Sequence, residues 1–150
     1  MTRPLVTVGG LIIAPDGEIL LVQSKKWKDL YSIPGGKVEL GETREEAFRR
    51  EIWEETHLEI TNIHFVMAQD CIFSPEYYKE AHFVMNDFIA YLHPNYTKDR
   101  VQLNEESHHF RWISPDKAIM LPLHKECRHL IEWYLKNFKK DLAYDRHYWN

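Results

Sequence analysis

Glu51, Glu54 and Glu55 stand at positions i, i+3 and i+4 of the segment REEAFRREIWEETHLEI, residues 44–60. On a helix of about 3.6 residues per turn, that spacing sends all three carboxylates from one face. Like charges so close repel one another by roughly a few tenths of a kcal/mol per exposed pair. A bound divalent cation reverses the sign of that cost. Hard cations such as Mg²⁺ take oxygen ligands and share them with substrate phosphates. Three glutamates on a helix are also compatible with an ordinary solvated face. Phe48 and Ile52, on a neighbouring face, instead ask for burial against a sheet. The chemistry suggested is a preformed cation site on a rigid element.

The elements that must position this face can be read along the chain. Thr43 and Glu46 form a capping box: the threonine oxygen accepts from the Glu46 amide, and Glu46 reaches back. The helix is expected to run from there to about Thr56. Strands are expected at Val6–Ala14, Ile19–Gln23, Ile60–Gln69, Phe83–Leu92 and His109–Ile113. Pro15, Asp16 and Gly17 supply the turn between the first two. Ser32 to Gly36, with Pro34 and Gly35 inside it, reads as a loop. A short helix is expected around Pro115–Met120. A longer one, over Lys125–Lys139, has an apolar stripe of Cys127, Leu130, Ile131, Tyr134, Leu135 and Phe138. Strands, helix, strands and helices in that order predict an α+β domain with helices packed on a mixed sheet.

Composition sets the outer bounds. The 150 residues fit one domain, expected to span residues 1–150. With 44% apolar and 28% charged residues, the chain is ordinary for a soluble protein. The net charge of −4, without a long basic block, gives no reason to expect tight nonspecific binding to nucleic acid. Cys71 and Cys127 lie far apart without a CxxC pattern, which argues against a disulfide framework or a zinc site and for a cytoplasmic location. Leu5 to Ala14 is apolar enough to mimic a signal core, but it runs into a turn without a small-residue cleavage pattern. No apolar run reaches the ~18 residues of a membrane span.

A wider pattern surrounds the carboxylates. Gly36, Glu42, Arg50, Glu51, Ile52, Glu54, Glu55 and Leu58 resemble the Nudix box, G-x5-E-x7-R-E-U-x-E-E-x-G-U with U aliphatic. Only His57 departs, standing where the family has glycine. Tyr31 to Gly36 resembles the aromatic-x-x-P-G-G approach to the box. Glu105 and Glu106, ahead of Phe110 to Ser114, resemble the family's acidic loop and W-V-S strand. The resemblance implies an α/β/α sandwich around a mixed sheet, with the box on a loop–helix–loop. It implies hydrolysis of a nucleoside diphosphate linked to another group, by in-line attack of water activated by Mg²⁺ or Mn²⁺. It further implies that Glu51, Glu54, Glu55 and the Gly36 carbonyl are metal ligands, and that Arg50 pairs with Glu42 to orient them. Glu51 and Glu106 are the candidate proton acceptors, with His108 and His109 a weaker alternative. The glycine replaced by His57 ends the helix in a left-handed conformation, which histidine adopts at greater cost.

The substrate is less defined. Tyr31, Lys37 and Tyr77 are candidate substrate-binding residues, and Lys25 to Lys28, around Trp27, can meet phosphates or stack on a base. A proline in the region downstream of the box resembles ADP-ribose pyrophosphatases, and a tyrosine there resembles dinucleoside polyphosphate hydrolases. Ser74 to Lys79 carries both residue types. The expected substrate is a nucleoside triphosphate or small nucleotide conjugate. ADP-ribose or a dinucleoside polyphosphate is the alternative, and a noncatalytic nucleotide-binding module or a cap-removing enzyme is a further one. No membrane partner is expected, and a homodimer is compatible with the sequence.

Overall fold

The structure is a computed structural model that describes residues 3–138. A mixed sheet is built from β1 (Leu5–Ile13), β2 (Ile19–Gln23), β3 (Tyr31–Ser32), β4 (Gly35–Lys37), β5 (Ile60–Ile72), β6 (His82–Leu92) and β7 (His109–Ile113), with β1 and β2 largely buried because both of their faces are covered. The main path runs β3-β2-β1-β6-β5, with β4 also paired to β1 and β7 to β2. β1 and β6 are parallel, and the other pairs are antiparallel. Pro15 to Gly17 makes the expected turn, with Gly17 at φ 89°.

The two faces of β1 serve different helices. Ile12 joins Phe48 and Ile52 of α1 (Arg44–Thr56), together with Phe88. The Phe48 and Phe88 rings stack with centroids 5.1 Å apart. Burying Phe48 and Ile52 stabilises this layer by roughly 1.5–3 kcal/mol each. Leu11 and Ile13 turn the other way, towards Leu130 and Ile131 of α3 (Lys125–Trp133). A short α2 (Pro115–Ala118) precedes α3. Helix, sheet and helix therefore form the expected α/β/α sandwich. Among the described residues, no helix is long and apolar enough to cross a membrane.

Several boundaries differ from the sequence reading. Ser32, Gly35 and Gly36, expected as loop, belong to the short strands Tyr31–Ser32 and Gly35–Lys37 because β2 and β1 offer them unpaired edges. β5 extends three residues further, to Ile72, by continued pairing with β6. α2 stops at Ala118. α3 passes at Tyr134–Phe138 into a π-helical turn, and its expected end at Lys139 lies outside the described residues. Cys71 and Cys127 are both free and buried.

Candidate active site

α1 starts where Thr43 caps it. Its side chain accepts from the Glu46 amide at 3.1 Å, and Glu46 accepts from the Thr43 amide at 2.9 Å. The helix ends on His57 at φ 59°, the left-handed position expected there, with its amide donating to Trp53 O and its Nδ1 2.8 Å from Gln102 O. Both ends are thus fixed, and the carboxylates between them sit on a stiff element.

Close backbone approach brings β4 against this helix. A Cβ on Gly36 would collide with the Glu51 carboxylate, and one on Gly35 would collide with Val8 O. Without those side chains, the Gly35 amide reaches Glu55 Oε2 at 3.0 Å. Ser107 Oγ donates to the other oxygen of Glu55 at 3.2 Å. Glu55 is only 5% exposed. Burial pushes its carboxyl up to about 8; these two hydrogen bonds oppose the rise, and repulsion from Glu51 and Glu106 adds to it. Burial also raises the Glu51 carboxyl, against the pull of Arg50.

Arg50 is the hub of this face. Its Nε and Nη2 donate to Glu42 at 2.6 and 2.9 Å, a bidentate pair, and Nη2 also donates to Lys37 O at 3.0 Å. Nη1 reaches Glu51 at 2.9 Å and Glu54 at 3.1 Å. The guanidinium holds the Glu42 carboxyl down to about 2. It ties the start of the box to its helix, as the resemblance implied.

A cavity of about 340 Å³ opens beside this face. Among the sequence-predicted residues it gathers Gly36, Lys37, Glu51, Glu55, Tyr77 and Glu106. Glu106 lies across the mouth and pairs with Lys26 Nζ at 2.7 Å; that bond is the chief reason the lysine titrates above its usual range. His108 points instead to Asp29, at 3.4 Å. Two of the residues predicted to touch metal or substrate stand off the cavity. Tyr31 is a core residue that does not line the cavity; on a strand alternate side chains take opposite faces, and its neighbour Ser32 is the one that lines it. Glu54 is half exposed, pairs with Arg50, and does not line the cavity with Glu51 and Glu55.

A hard cation suits this donor set. All the candidate groups are oxygens, Glu55 is bonded to an amide and a hydroxyl and not to a lysine or arginine, and the Gly36 backbone lies close against the Glu51 carboxylate, with no room for a side chain between them. As they stand, no three His, Cys, Asp or Glu side chains among the described residues converge as a ready metal cluster. Glu54 would have to leave Arg50 to join.

The inner end of the cavity contains residues that the sequence reading did not single out. Asp87 and Glu126 are 4% and 8% exposed and line it with His124, Trp27 and Phe83. Gln69 Nε2 donates both to Asp87 Oδ2, at 2.7 Å, and to Glu126 O, at 3.0 Å. Burial pushes the Asp87 carboxyl up to about 7. The proximity of His124 draws the Glu126 carboxyl down, with burial opposing. Asp87 did carry a signal: a charged residue in the middle of the apolar strand FVMNDFIAYL. Glu126 carried none, because an acidic residue in the first turn of a helix is common.

Comparison with known proteins follows this geometry. The family model described as NUDIX domain matches residues 3–134. The chain is 32% identical over 132 residues to the NAD-capped RNA hydrolase NudC of Photorhabdus laumondii, covering 86% of this chain and 46% of that protein. It is 53% identical over 58 residues to an ADP-ribose pyrophosphatase of Methanocaldococcus jannaschii, covering 37% of this chain and 34% of that protein. The chain thus spans less than half the length of these curated relatives. Its fold matches the crystal structure of a MutT NUDIX hydrolase from Burkholderia pseudomallei with a TM-score of 0.69 at 25% identity, over 87% of this chain and 97% of that one.

Proposed function

Because this chain belongs to the Nudix family, we propose that it is a divalent-metal-dependent pyrophosphohydrolase acting on a nucleoside diphosphate linked to a further group. A nucleoside triphosphate or small nucleotide conjugate is the substrate class favoured here. The observation that carries this reading is the single cavity in which Glu51, Glu55, Gly36 and Glu106 meet an aromatic inner end. It joins a place for phosphates to a place for a base.

Glu51, Glu54, Glu55 and the Gly36 carbonyl would hold Mg²⁺ or Mn²⁺, which supplies neutralisation of diphosphate oxygens and a lowered pKa for water. The chain's own residues have separate tasks. Arg50 keeps Glu51 in position through the Glu42 clamp. The Gly35 amide and Ser107 fix both oxygens of Glu55. Glu106 is the proton acceptor in this reading, supported by its position on the cavity and its separation from the box helix. Lys26 and Lys37 bring positive charge to the same opening, where phosphates need it. A water attacking phosphorus in line would give its proton to Glu106 as the P–O–P bridge breaks.

The similarity to an NAD-capped RNA hydrolase and an ADP-ribose pyrophosphatase favours, as a second reading, a dinucleotide or sugar-linked diphosphate. One screen tests both. Nucleoside triphosphates, ADP-ribose and NAD are incubated with Mg²⁺ or Mn²⁺, and phosphate, pyrophosphate and monophosphate are read separately. Cleavage that stops with EDTA is the expected result. No metal-dependent cleavage of any of them would overturn the enzyme reading in favour of a binding module.

A further inference from the structure

We propose that Lys26 is a substrate-operated latch on Glu106: it pairs with that carboxylate before substrate binds and exchanges it for a substrate phosphate, which leaves Glu106 free to take the proton of the attacking water. This rests on the reading of Glu106 as the proton acceptor and adds what ties its release to the substrate.

The starting observation is a single contact across the mouth of the cavity. Lys26 stands in the turn Lys25–Trp27 after β2, and Glu106 in the loop before β7, eighty positions away. Nζ and Oε2 are 2.7 Å apart, and both residues line the cavity with Glu51 and Glu55. An oxygen that accepts from an ammonium has its charge offset, so it is a poor acceptor for a water proton.

The backbones behind the two side chains are fixed. The Lys28 amide donates to Lys25 O and the Asp29 amide to Ser24 O, both at 3.0 Å. Lys28 and Asp29 are both left-handed, at φ 55° and 64°. Two consecutive residues other than glycine hold that geometry only where neighbours over-determine it. The neighbours are on the next loop: Lys28 Nζ donates to Pro75 O at 2.6 Å, and the Tyr78 amide donates to Lys26 O at 2.8 Å. On the other side, the Glu106 amide donates to Asn104 Oδ1 at 2.9 Å, and the His108 amide to Gln23 O at 3.0 Å. The parts left to move are the side chains themselves, and a lysine on its four-carbon stem swings readily.

Magnitudes favour exchange. The two side chains are 45% and 49% exposed. An ion pair so exposed is held by roughly two- to fivefold. A hydrogen bond from an ammonium to phosphate is worth about tenfold or more, so a phosphate in reach takes the lysine. The water oxygen then bonds to phosphorus as the bridging P–O bond breaks, its electron pair leaving with the departing phosphate, and the water proton passes to Glu106.

The probe is methylenediphosphonate, a diphosphate analogue whose P–C–P bridge water does not cleave and which carries no base. Its binding with Mg²⁺ in excess is measured by calorimetry for the wild type, K26M, E106Q and the double variant. Both side chains are half exposed, so all four proteins are expected to fold, and a thermal melt checks this. Lys26→Met should weaken binding by about tenfold or more, and Lys26→Arg should largely restore it. Glu106→Gln should tighten binding, and by roughly two- to fivefold more with Lys26 present than in the K26M background, because only then does the ligand have to break the pair. Equal gains in the two backgrounds would mean that Glu106 merely repels the anion, and would overturn the latch. Weaker binding by E106Q would overturn it too. On the nucleotide that the screen shows to be cleaved, Lys26→Met should raise KM and leave kcat unchanged or higher. A fall in kcat at unchanged KM would make Lys26 a support for Glu106 and overturn the inference. Absence of diphosphonate binding by the wild type would remove the phosphate reading of the cavity and the latch with it. Binding with additive effects would remove the latch alone.

Discussion

Asp87→Asn should change how stability depends on pH, and the size of the change follows from burial. Asp87 is 4% exposed, and its carboxyl is raised from 3.8 to about 7 by desolvation first, opposed by the Gln69 hydrogen bond and reinforced by Glu126. The sign follows from which state holds the proton. Between these values the unfolded chain has already released it and the folded chain has not. Raising the pH therefore favours unfolding, and the loss ends above the folded value. From pH 5 to about 7, at about 1.36 kcal/mol per pH unit, this amounts to roughly 3 kcal/mol. Asparagine cannot ionise, and its oxygen can still accept from Gln69. Urea unfolding of both proteins at pH 5 and pH 8 isolates the effect, because other titrating groups largely cancel in the difference. The variant should gain on the wild type by roughly 2–3 kcal/mol between the two conditions. Parallel pH profiles would refute the reasoning and mean that Asp87 ionises freely in the folded protein.

Three further outcomes are expected. Glu55→Gln should lower turnover by about 10²-fold or more at saturating Mg²⁺ while far-UV circular dichroism is retained, since it removes a carboxylate that would ligate the cation and keeps the shape; a wild-type rate would exclude Glu55 from the site. Glu106→Gln should lower kcat by about 10²–10⁴, as for loss of a general base, with the half-saturating Mg²⁺ concentration unmoved. Recovery of that variant at high Mg²⁺ would make Glu106 a metal ligand instead. His57→Gly should be tolerated: relief of the left-handed conformation, on the order of 1 kcal/mol, is set against loss of the contact with Gln102 O. A thermal melt and an activity assay check this, and loss of activity at unchanged stability would place His57 on the substrate.

Local signals carried much of the molecule. A capping box specifies where α1 begins because its bonds span three residues, and the spacing of Phe48 and Ile52 specifies which side is buried. The Arg50–Glu42 clamp was implied by the box and is present as a bidentate pair. By itself the sequence therefore determined the family resemblance, the sandwich of helices on a mixed sheet, and the helix carrying the carboxylates. Periodicity could not determine what β1 and β2 would recruit, so Ser32, Gly35 and Gly36 read as loop until free strand edges paired them. Nor could spacing separate Glu54 from Glu55. Both leave the same turn of α1, but an arginine holds one outside while an amide and a hydroxyl from distant segments hold the other inside. Glu126 is the clearest case of what tertiary structure alone decided. Nothing adjacent in sequence marks it, and its significance arises from burial beside Asp87, a residue thirty-nine positions away in sequence. A carboxylate oxygen buried without a hydrogen-bond partner is a property of the packed surroundings, which no local pattern encodes.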